Sequence, residues 1–120
     1  AHIHQDGFPQ FDEQDASKIL QTIDTLLAQS GVLNDIQSLK SVQICGQMHG
    51  LILWSAKSPR SVVSPLITWQ DQRCSNDFLV GLGPSLNHLK TGFGLATLLW
   101  FMEEEKSKGD QLEKYDRAGT

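Results

Sequence analysis

Apolar side chains repeat at three- and four-residue steps from Ala16 to Leu27, a spacing that places them on one side of a helix. Asp15 stands just before this stripe, where its carboxylate can accept a hydrogen bond from a backbone N–H of the first turn. Ser30 and Gly31 follow it, and glycine readily adopts the left-handed conformation that ends a helix. The pattern therefore predicts a helix from residue 16 to residue 30.

Short apolar runs predict strands in the middle of the chain. Residues 41–45 alternate polar and apolar side chains as a half-buried strand does, and residues 51–54 form a continuous apolar run typical of a buried strand. The glycine-bounded residues 46–50 between them predict a hairpin or a bulged turn. Residues 1–14 and 55–65 are polar and interrupted by glycine or proline, which predicts an extended arm and a surface loop.

The second half of the chain continues the exchange between strands and helices. A third strand is predicted over residues 66–69, and residues 70–73 form either its end or the start of a helix that runs to Leu82. A further helix is predicted over residues 96–106. Helices and strands in this mixed order indicate an α/β fold, with a mixed sheet and flanking helices.

Charge and cysteine content exclude several classes of protein. Ten Lys and Arg against fourteen Asp and Glu give a net charge of −4, and no stretch forms a basic stripe. Binding to nucleic acid or to an anionic membrane through bulk charge is therefore disfavoured. Cys45 and Cys74 are too few for a disulfide scaffold, which favours a reducing, cytoplasmic compartment. The sequence leaves the oligomeric state open.

Two polar clusters stand at predicted strand ends, where ligands gather in α/β sheets. The first is Gln47-Met48-His49 between glycines, which allow backbone to approach a ligand closely because no Cβ intervenes. A histidine in such a place is more often simply a turn residue.

The second cluster runs from Trp69 to Arg73 and combines an aromatic face with amide, carboxylate and guanidinium groups. Sugar sites use this mixture, since the ring covers C–H surface while the polar groups bond hydroxyls. Alternatively, Trp69 fills the core, and Asp71 and Arg73 form a helix-terminal acid and a surface ion pair. The chain has no GxxxxGK[ST] loop, GxSxG elbow or HExxH helix, so local chemistry predicts a ligand pocket without a defined reaction.

Four segments, taken together and in order, are more specific than any one cluster. The series Glu13-Gln14-Asp15, ICGQMHGLILW (44–54), LITWQDQRCS (66–75) and TGFGLATLLW (91–100) resembles the FGGY carbohydrate kinase family. The Gly-Gln-Met-His-Gly stretch is shared with members that act on xylulose. The last two segments are more similar to members that act on sedoheptulose.

The resemblance implies an ATP-dependent kinase with a ribonuclease H-like, actin-like ATPase fold of two domains. It places residues 1–120 inside the amino-terminal, sugar-binding domain, without that domain's first strands and without the carboxy-terminal domain. The implied reaction is phosphoryl transfer from ATP, with Mg²⁺, to a primary hydroxyl of a small ketose. Catalysis of this kind depends mainly on positioning and charge neutralisation.

The resemblance also implies a set of sugar-site residues: Gln47, Met48, His49, Trp69, Asp71 and Arg73. Met48 and His49 match the pocket lining, and Trp69 matches an aromatic residue that packs against the polyol. Asp71 and Arg73 either contact the sugar or hold the loop at the pocket edge, and Gln47 has the same two alternatives.

Two departures from the family pattern limit what this chain can do. Nothing matches the family's Asp-x-Gly-Thr-Thr-Ser phosphate loop, and the catalytic Asp is expected downstream. Neither Asp71 nor Asp77 is a replacement for that catalytic residue. We therefore expect the chain to be inactive by itself. The alternatives are a xylulose-type or other FGGY ketose kinase and a non-catalytic, truncated sugar-binding product.

Overall fold

The computed structural model describes residues 2–3, 6–61, 63–108 and 112–120. Its strands are β1 (His2–Ile3), β2 (Glu13–Gln14), β3 (Ile52–Trp54), β4 (Leu66–Ile67) and β5 (Arg117–Gly119). Its α-helices are α1 (Ala16–Ser30), α2 (Asn76–Gly81) and α3 (Gly94–Lys108), with 3-10 turns at Val32–Ser38 and Pro84–Leu86. None of the helices in these ranges is long and apolar enough to cross a membrane.

The strands form two small antiparallel sheets. One has the order β1-β2-β4, and the other pairs β3 with β5. A bridge between Leu51 and Ile67 connects them, with two backbone hydrogen bonds of 2.8 and 2.9 Å. The combination of helices and strands confirms the predicted α/β class, whereas the strand pairs of the described ranges are antiparallel rather than the expected mixed sheet.

Helix α1 confirms the prediction from the apolar stripe, including both ends. The Asp15 carboxylate accepts a hydrogen bond from the backbone N–H of Lys18 at 2.9 Å, and Gly31 ends the helix at φ +71°. The far end of the stripe is nevertheless exposed, with Ile23 and Leu26 about half accessible to solvent. Local spacing thus determines that the helix forms, while the described residues leave this face uncovered.

The predicted strand over residues 41–45 is wrong. These residues form neither strand nor helix, and Val42 and Ile44 are among the most exposed apolar residues of the chain. The predicted hairpin is therefore absent as well, because β3 pairs with β5 in the register Ile52 to Gly119. Alternation of polar and apolar residues makes a strand only where a partner is available, and here the partner of β3 comes from distant sequence.

The polar residues at the beginning of the chain are also more ordered than predicted. Glu13 and Gln14 form the central strand of the three-stranded sheet, and the pairing with the 66–72 segment continues beyond it. The backbone N–H of Thr68 donates to the Asp12 carbonyl at 3.0 Å, and that of Gln72 donates to Gln10 at 2.8 Å. The predicted extended arm is thus a structural support for the segment that contains Trp69.

Helix α2 begins later than the sequence suggested. Residues 70–73 are irregular, and Ser75 caps the helix by accepting a hydrogen bond from the Phe78 N–H at 3.2 Å. Helix α3 packs against both core clusters: Leu99 and Trp100 contact the cluster around Cys74 and Leu79, while Leu98 and Phe101 contact the cluster around the Leu51–Ile67 bridge. The start of α3 lies close to both predicted sugar-site segments, because Gly92 packs on the Trp69 carbonyl and Gly94 packs on the Gly50 carbonyl.

Candidate functional site

The Leu51–Ile67 bridge places the two polar clusters side by side. Leu51 lies two residues after His49, and Ile67 lies two residues before Trp69. In an antiparallel pair, continuing this register sets position 49 opposite position 69. The strand prediction for residues 41–45 was wrong, but the two clusters that it was meant to connect are still neighbours.

The 47–49 segment presents its side chains to solvent. Met48 is 74% exposed and His49 is also exposed, with a backbone φ of +66° that side-chain-bearing residues seldom adopt. The side chain of Gln47 folds back to Gly50, where its Nε2 would lie 3.4 Å from an added Cβ. This position of Gln47 favours its loop-supporting alternative, while Met48 and His49 remain available to a ligand.

Trp69 is not a core residue. It is 55% exposed, although the two residues just before it, Ile67 and Thr68, are buried. The alternative in which Trp69 fills the core is therefore wrong for this structure.

The turn before α3 contacts both segments. Gly92 has a φ of +86°, and a Cβ there would overlap the carbonyl oxygen of Trp69. A Cβ on Gly94 would overlap the carbonyl oxygen of Gly50. Between them, the Phe93 ring stacks on the His49 imidazole, with centroids 4.3 Å apart and planes within 6°. The His49 imidazole and the Trp69 backbone carbonyl therefore both contact this turn, which the sequence analysis used only as part of the fourth family motif.

Asp71 and Arg73 form the centre of a buried ion-pair network. The Arg73 guanidinium donates to Asp71 through Nε at 2.9 Å and Nη2 at 2.8 Å, and to Glu13 through Nη2 at 2.5 Å. The Asp71 carboxylate also accepts the backbone N–H groups of Asp12 and Arg73, at 2.8 and 3.0 Å. The network ties the loop after Trp69 to strand β2.

The environment of this network explains why an arginine can be buried there. The Arg73 and Asp71 side chains are 3% and 0% exposed, and the Arg73 guanidinium carbon lies 4.0 Å from the centre of the Phe11 ring. Among the described residues, every buried side-chain nitrogen or oxygen has a hydrogen-bond partner. This geometry favours loop support by Asp71 and Arg73 over direct contact with a ligand.

Sequence reasoning missed Phe93 and the supporting role of Glu13. Both stand in motifs that carried the family resemblance, but neither has a local signal for its contact. A buried arginine does require carboxylate partners, and Glu13 was available at the start of the first motif. Its proximity to Arg73 depends on the pairing of β2 with β4, across 60 positions of sequence.

Cys74 lies at the edge of the same network and should be unreactive. Burial, together with the nearby Asp71 carboxylate, raises the pKa of the Cys74 thiol to about 11 from an ordinary value near 9. We expect a thiol reagent at pH 8 to modify the exposed Cys45 rapidly and Cys74 only after denaturation, because the thiolate is the reactive form. Stability contributed by the neutral Cys74 should be present below pH 9 and lost as the pH rises to about 11.

A C45S variant is the control for this labelling experiment. It should remove the rapid modification of the native protein and leave the modification that follows denaturation unchanged. Rapid modification of both thiols in the native protein would contradict the burial of Cys74.

Within residues 2–3, 6–61, 63–108 and 112–120, no group of three His, Cys, Asp or Glu side chains is placed to hold a metal ion.

A groove of about 430 Å³ runs along α2, but it is lined by residues between Asn76 and Lys90 and by none of the six predicted sugar-site residues.

Comparison with known proteins identifies the relatives of this chain. It is 38% identical over 128 aligned positions to sedoheptulokinase of Homo sapiens, an alignment that covers 93% of this chain and 26% of that protein. It is 31% identical over 113 positions to xylulose kinase of Escherichia coli K12, covering 88% of this chain and 23% of that protein. The chain belongs to the FGGY carbohydrate kinase family.

The family relationship rests on these alignments, which cover 93% and 88% of the chain. No family model matches the chain. The relationship confirms the resemblance inferred from the four motifs. The chain spans about a quarter of the length of the curated relatives that it matches. What an FGGY kinase does as a whole protein is therefore a separate question from what these residues contribute.

Proposed function

We propose that this chain forms the sugar-binding part of a kinase that phosphorylates sedoheptulose to sedoheptulose 7-phosphate. The observation that carries the proposal is that the His49 imidazole and the Trp69 backbone carbonyl both contact the Gly92–Gly94 turn. It joins three of the four family motifs at one place on the surface. The similarity to sedoheptulokinases of Homo sapiens and Mus musculus, at 38% and 36% identity, supports the choice of sugar.

The exposed residues of this surface have complementary tasks. The imidazole of His49 would hydrogen-bond a sugar hydroxyl, while the Trp69 indole would cover the carbon chain and exclude water from it. Met48, beside His49, would add adaptable apolar contact. A site that bonds hydroxyls discriminates strongly against analogues that leave its polar groups unpaired. Sugar selection would therefore arise here.

The other predicted site residues would act indirectly. Asp71 and Arg73 would hold the loop that presents Trp69, through their contacts with Glu13 and the backbone of Asp12. Gln47 would support the glycine-bounded segment around Gly50. The sugar would thus meet a surface whose shape is set before binding, which lowers the ordering cost of binding.

Nucleotide and metal binding are assigned outside this chain. The chain lacks the family's phosphate loop, and its described residues contain no group of three His, Cys, Asp or Glu side chains placed to hold a metal ion. We propose that ATP, Mg²⁺ and the catalytic Asp are held elsewhere in the complete protein, within a ribonuclease H-like fold of two domains. No step of phosphoryl transfer is attributed to residues 1–120.

A kinase specific for xylulose is the second candidate, and the 31% identity to xylulose kinase of Escherichia coli K12 favours it. Steady-state assays of the complete protein with ATP and Mg²⁺ separate the two. We expect a higher kcat/KM for sedoheptulose than for xylulose or ribulose. A preference for xylulose would replace the sugar assignment, and turnover by residues 1–120 alone would contradict the division of the site.

A non-catalytic sugar-binding product makes a different prediction. For such a truncated product, calorimetry would show that residues 1–120 by themselves bind sedoheptulose, while kinase assays of the same chain with all three ketoses would show no turnover. That pair of results would retain the sugar site and remove the kinase activity from the proposal.

A further inference from the structure

Phe93 stacks its ring on the imidazole of the proposed sugar-binding histidine, His49. The two rings are nearly parallel, with an interplanar angle of 6° and centroids 4.3 Å apart. Phe93 itself is partly buried against the cluster that contains Cys74, Leu79 and Ala96. An exposed imidazole is therefore held against a ring that the core anchors.

The backbone around this stack leaves little freedom. Gly92 and Gly94 pack directly on the carbonyl groups of Trp69 and Gly50, at positions where a side chain would overlap them. His49 holds a φ of +66°, so its Cα–Cβ direction differs from that of ordinary extended residues. The turn thus fixes where Phe93 stands, and the unusual backbone of His49 brings the imidazole onto it.

Hydrogen bonds do not orient the imidazole within the part of the chain that the structure describes. No described residue donates to or accepts from the His49 ring, whereas Phe93 covers one of its faces. A stacked imidazole keeps both ring nitrogens at its edge, in the plane where hydroxyl groups can bond them. Stacking therefore selects the orientation without using either nitrogen.

We propose that Phe93 is a positioning residue that sets the imidazole plane of His49 for hydrogen bonding to a ketose hydroxyl. This inference rests on the proposed function, because it takes His49 as a sugar contact. A ring held in one orientation before binding loses less conformational freedom when the sugar arrives. Removing the stack should therefore weaken the sugar complex and leave the nucleotide complex unchanged.

The test compares F93L and F93Y in the complete protein. Leucine keeps an apolar side chain on the core but removes the stacking face, whereas tyrosine keeps the ring. For F93L we expect the ketose KM to rise about fivefold and the KM for ATP to stay unchanged. A fivefold change is smaller than the factor of ten that corresponds to about 1.4 kcal/mol. F93Y should restore the ketose KM to near the wild-type value.

A spectroscopic readout separates positioning from a general loss of structure. In protein labelled at histidine, the ring current of Phe93 should shift the carbon-bound His49 protons upfield, and an H49N variant identifies their signals. Asparagine tolerates the left-handed backbone, so it removes the ring without disturbing the turn. The upfield shift should disappear in F93L and persist in F93Y.

The outcomes distinguish this inference from the proposed function. If wild type phosphorylates sedoheptulose and F93L loses the upfield shift but keeps the wild-type ketose KM, positioning by Phe93 is refuted and the function stands. If wild type shows no turnover, but sedoheptulose perturbs the His49 signals in wild type and less so in F93L, the kinase proposal fails and positioning stands. Neither turnover nor perturbation in wild type would overturn both.

Discussion

Replacing Arg73 by methionine is expected to lower the free energy of unfolding by about 3–5 kcal/mol. The substitution leaves the carboxylates of Asp71 and Glu13 buried without their shared counter-charge, and their side chains are 0% and 6% exposed. It also removes the cation from the face of the Phe11 ring. Urea unfolding of wild type and R73M measures the difference.

Two further variants show which property of Arg73 matters. R73K keeps the charge but replaces the planar fork by a point charge, so we expect it to recover only part of the lost stability. R60M removes an exposed arginine that pairs with Asp24 at 2.5 Å, and it should unfold like wild type because water screens that pair. Equal unfolding of R73M and R60M would contradict a structural role for the buried network.

The same variants decide between loop support and sugar contact. If Arg73 supports the loop, the partial stability of R73K should be accompanied by a partial recovery of the ketose KM, because both depend on the position of Trp69. A full loss of sugar affinity in a stable R73K protein would instead indicate direct contact between the guanidinium and the sugar.

Replacing Trp69 by alanine is expected to raise the ketose KM about tenfold with little change in stability. Covering roughly 60 Å² of sugar C–H surface is worth about 1.5 kcal/mol, and 1.4 kcal/mol corresponds to a factor of ten. Trp69 is 55% exposed, so its removal should not open a cavity in the core. Steady-state kinetics with sedoheptulose, together with urea unfolding, measures both effects.

Leu26 provides the control for this experiment. It is a large apolar residue with a similar exposed fraction, 59%, and it lies on helix α1, outside the two sugar-site segments. L26A should leave the ketose KM unchanged. A W69A protein that unfolds much more easily than wild type yet binds the ketose normally would return Trp69 to a packing role.

Local sequence was sufficient for features that depend on neighbouring residues. The spacing of apolar side chains determined α1, and Asp15 and Gly31 determined its ends, because helix hydrogen bonds and caps join residues a few positions apart. The apolar run at residues 51–54 likewise indicated β3. The family motifs were visible in sequence for a related reason, since each is a short run of residue types.

Local sequence was not sufficient where a partner lies far along the chain. Residues 41–45 alternate like a strand but find no partner strand, whereas the polar Glu13 and Gln14 form a central one. The same limit applied to Trp69, whose exposure depends on how the loop after it is held. Composition alone favoured a buried tryptophan.

The amino-acid sequence by itself determined helix α1, the glycine-bounded segments and the membership of a sugar-kinase family. Only the tertiary structure decided that Glu13 neutralises Arg73, that Trp69 faces solvent and that Phe93 stacks on His49. The physical reason is the distance along the chain. Glu13 and Arg73 are 60 positions apart, and His49 and Phe93 are 44 apart, so strand pairing and burial must bring them together.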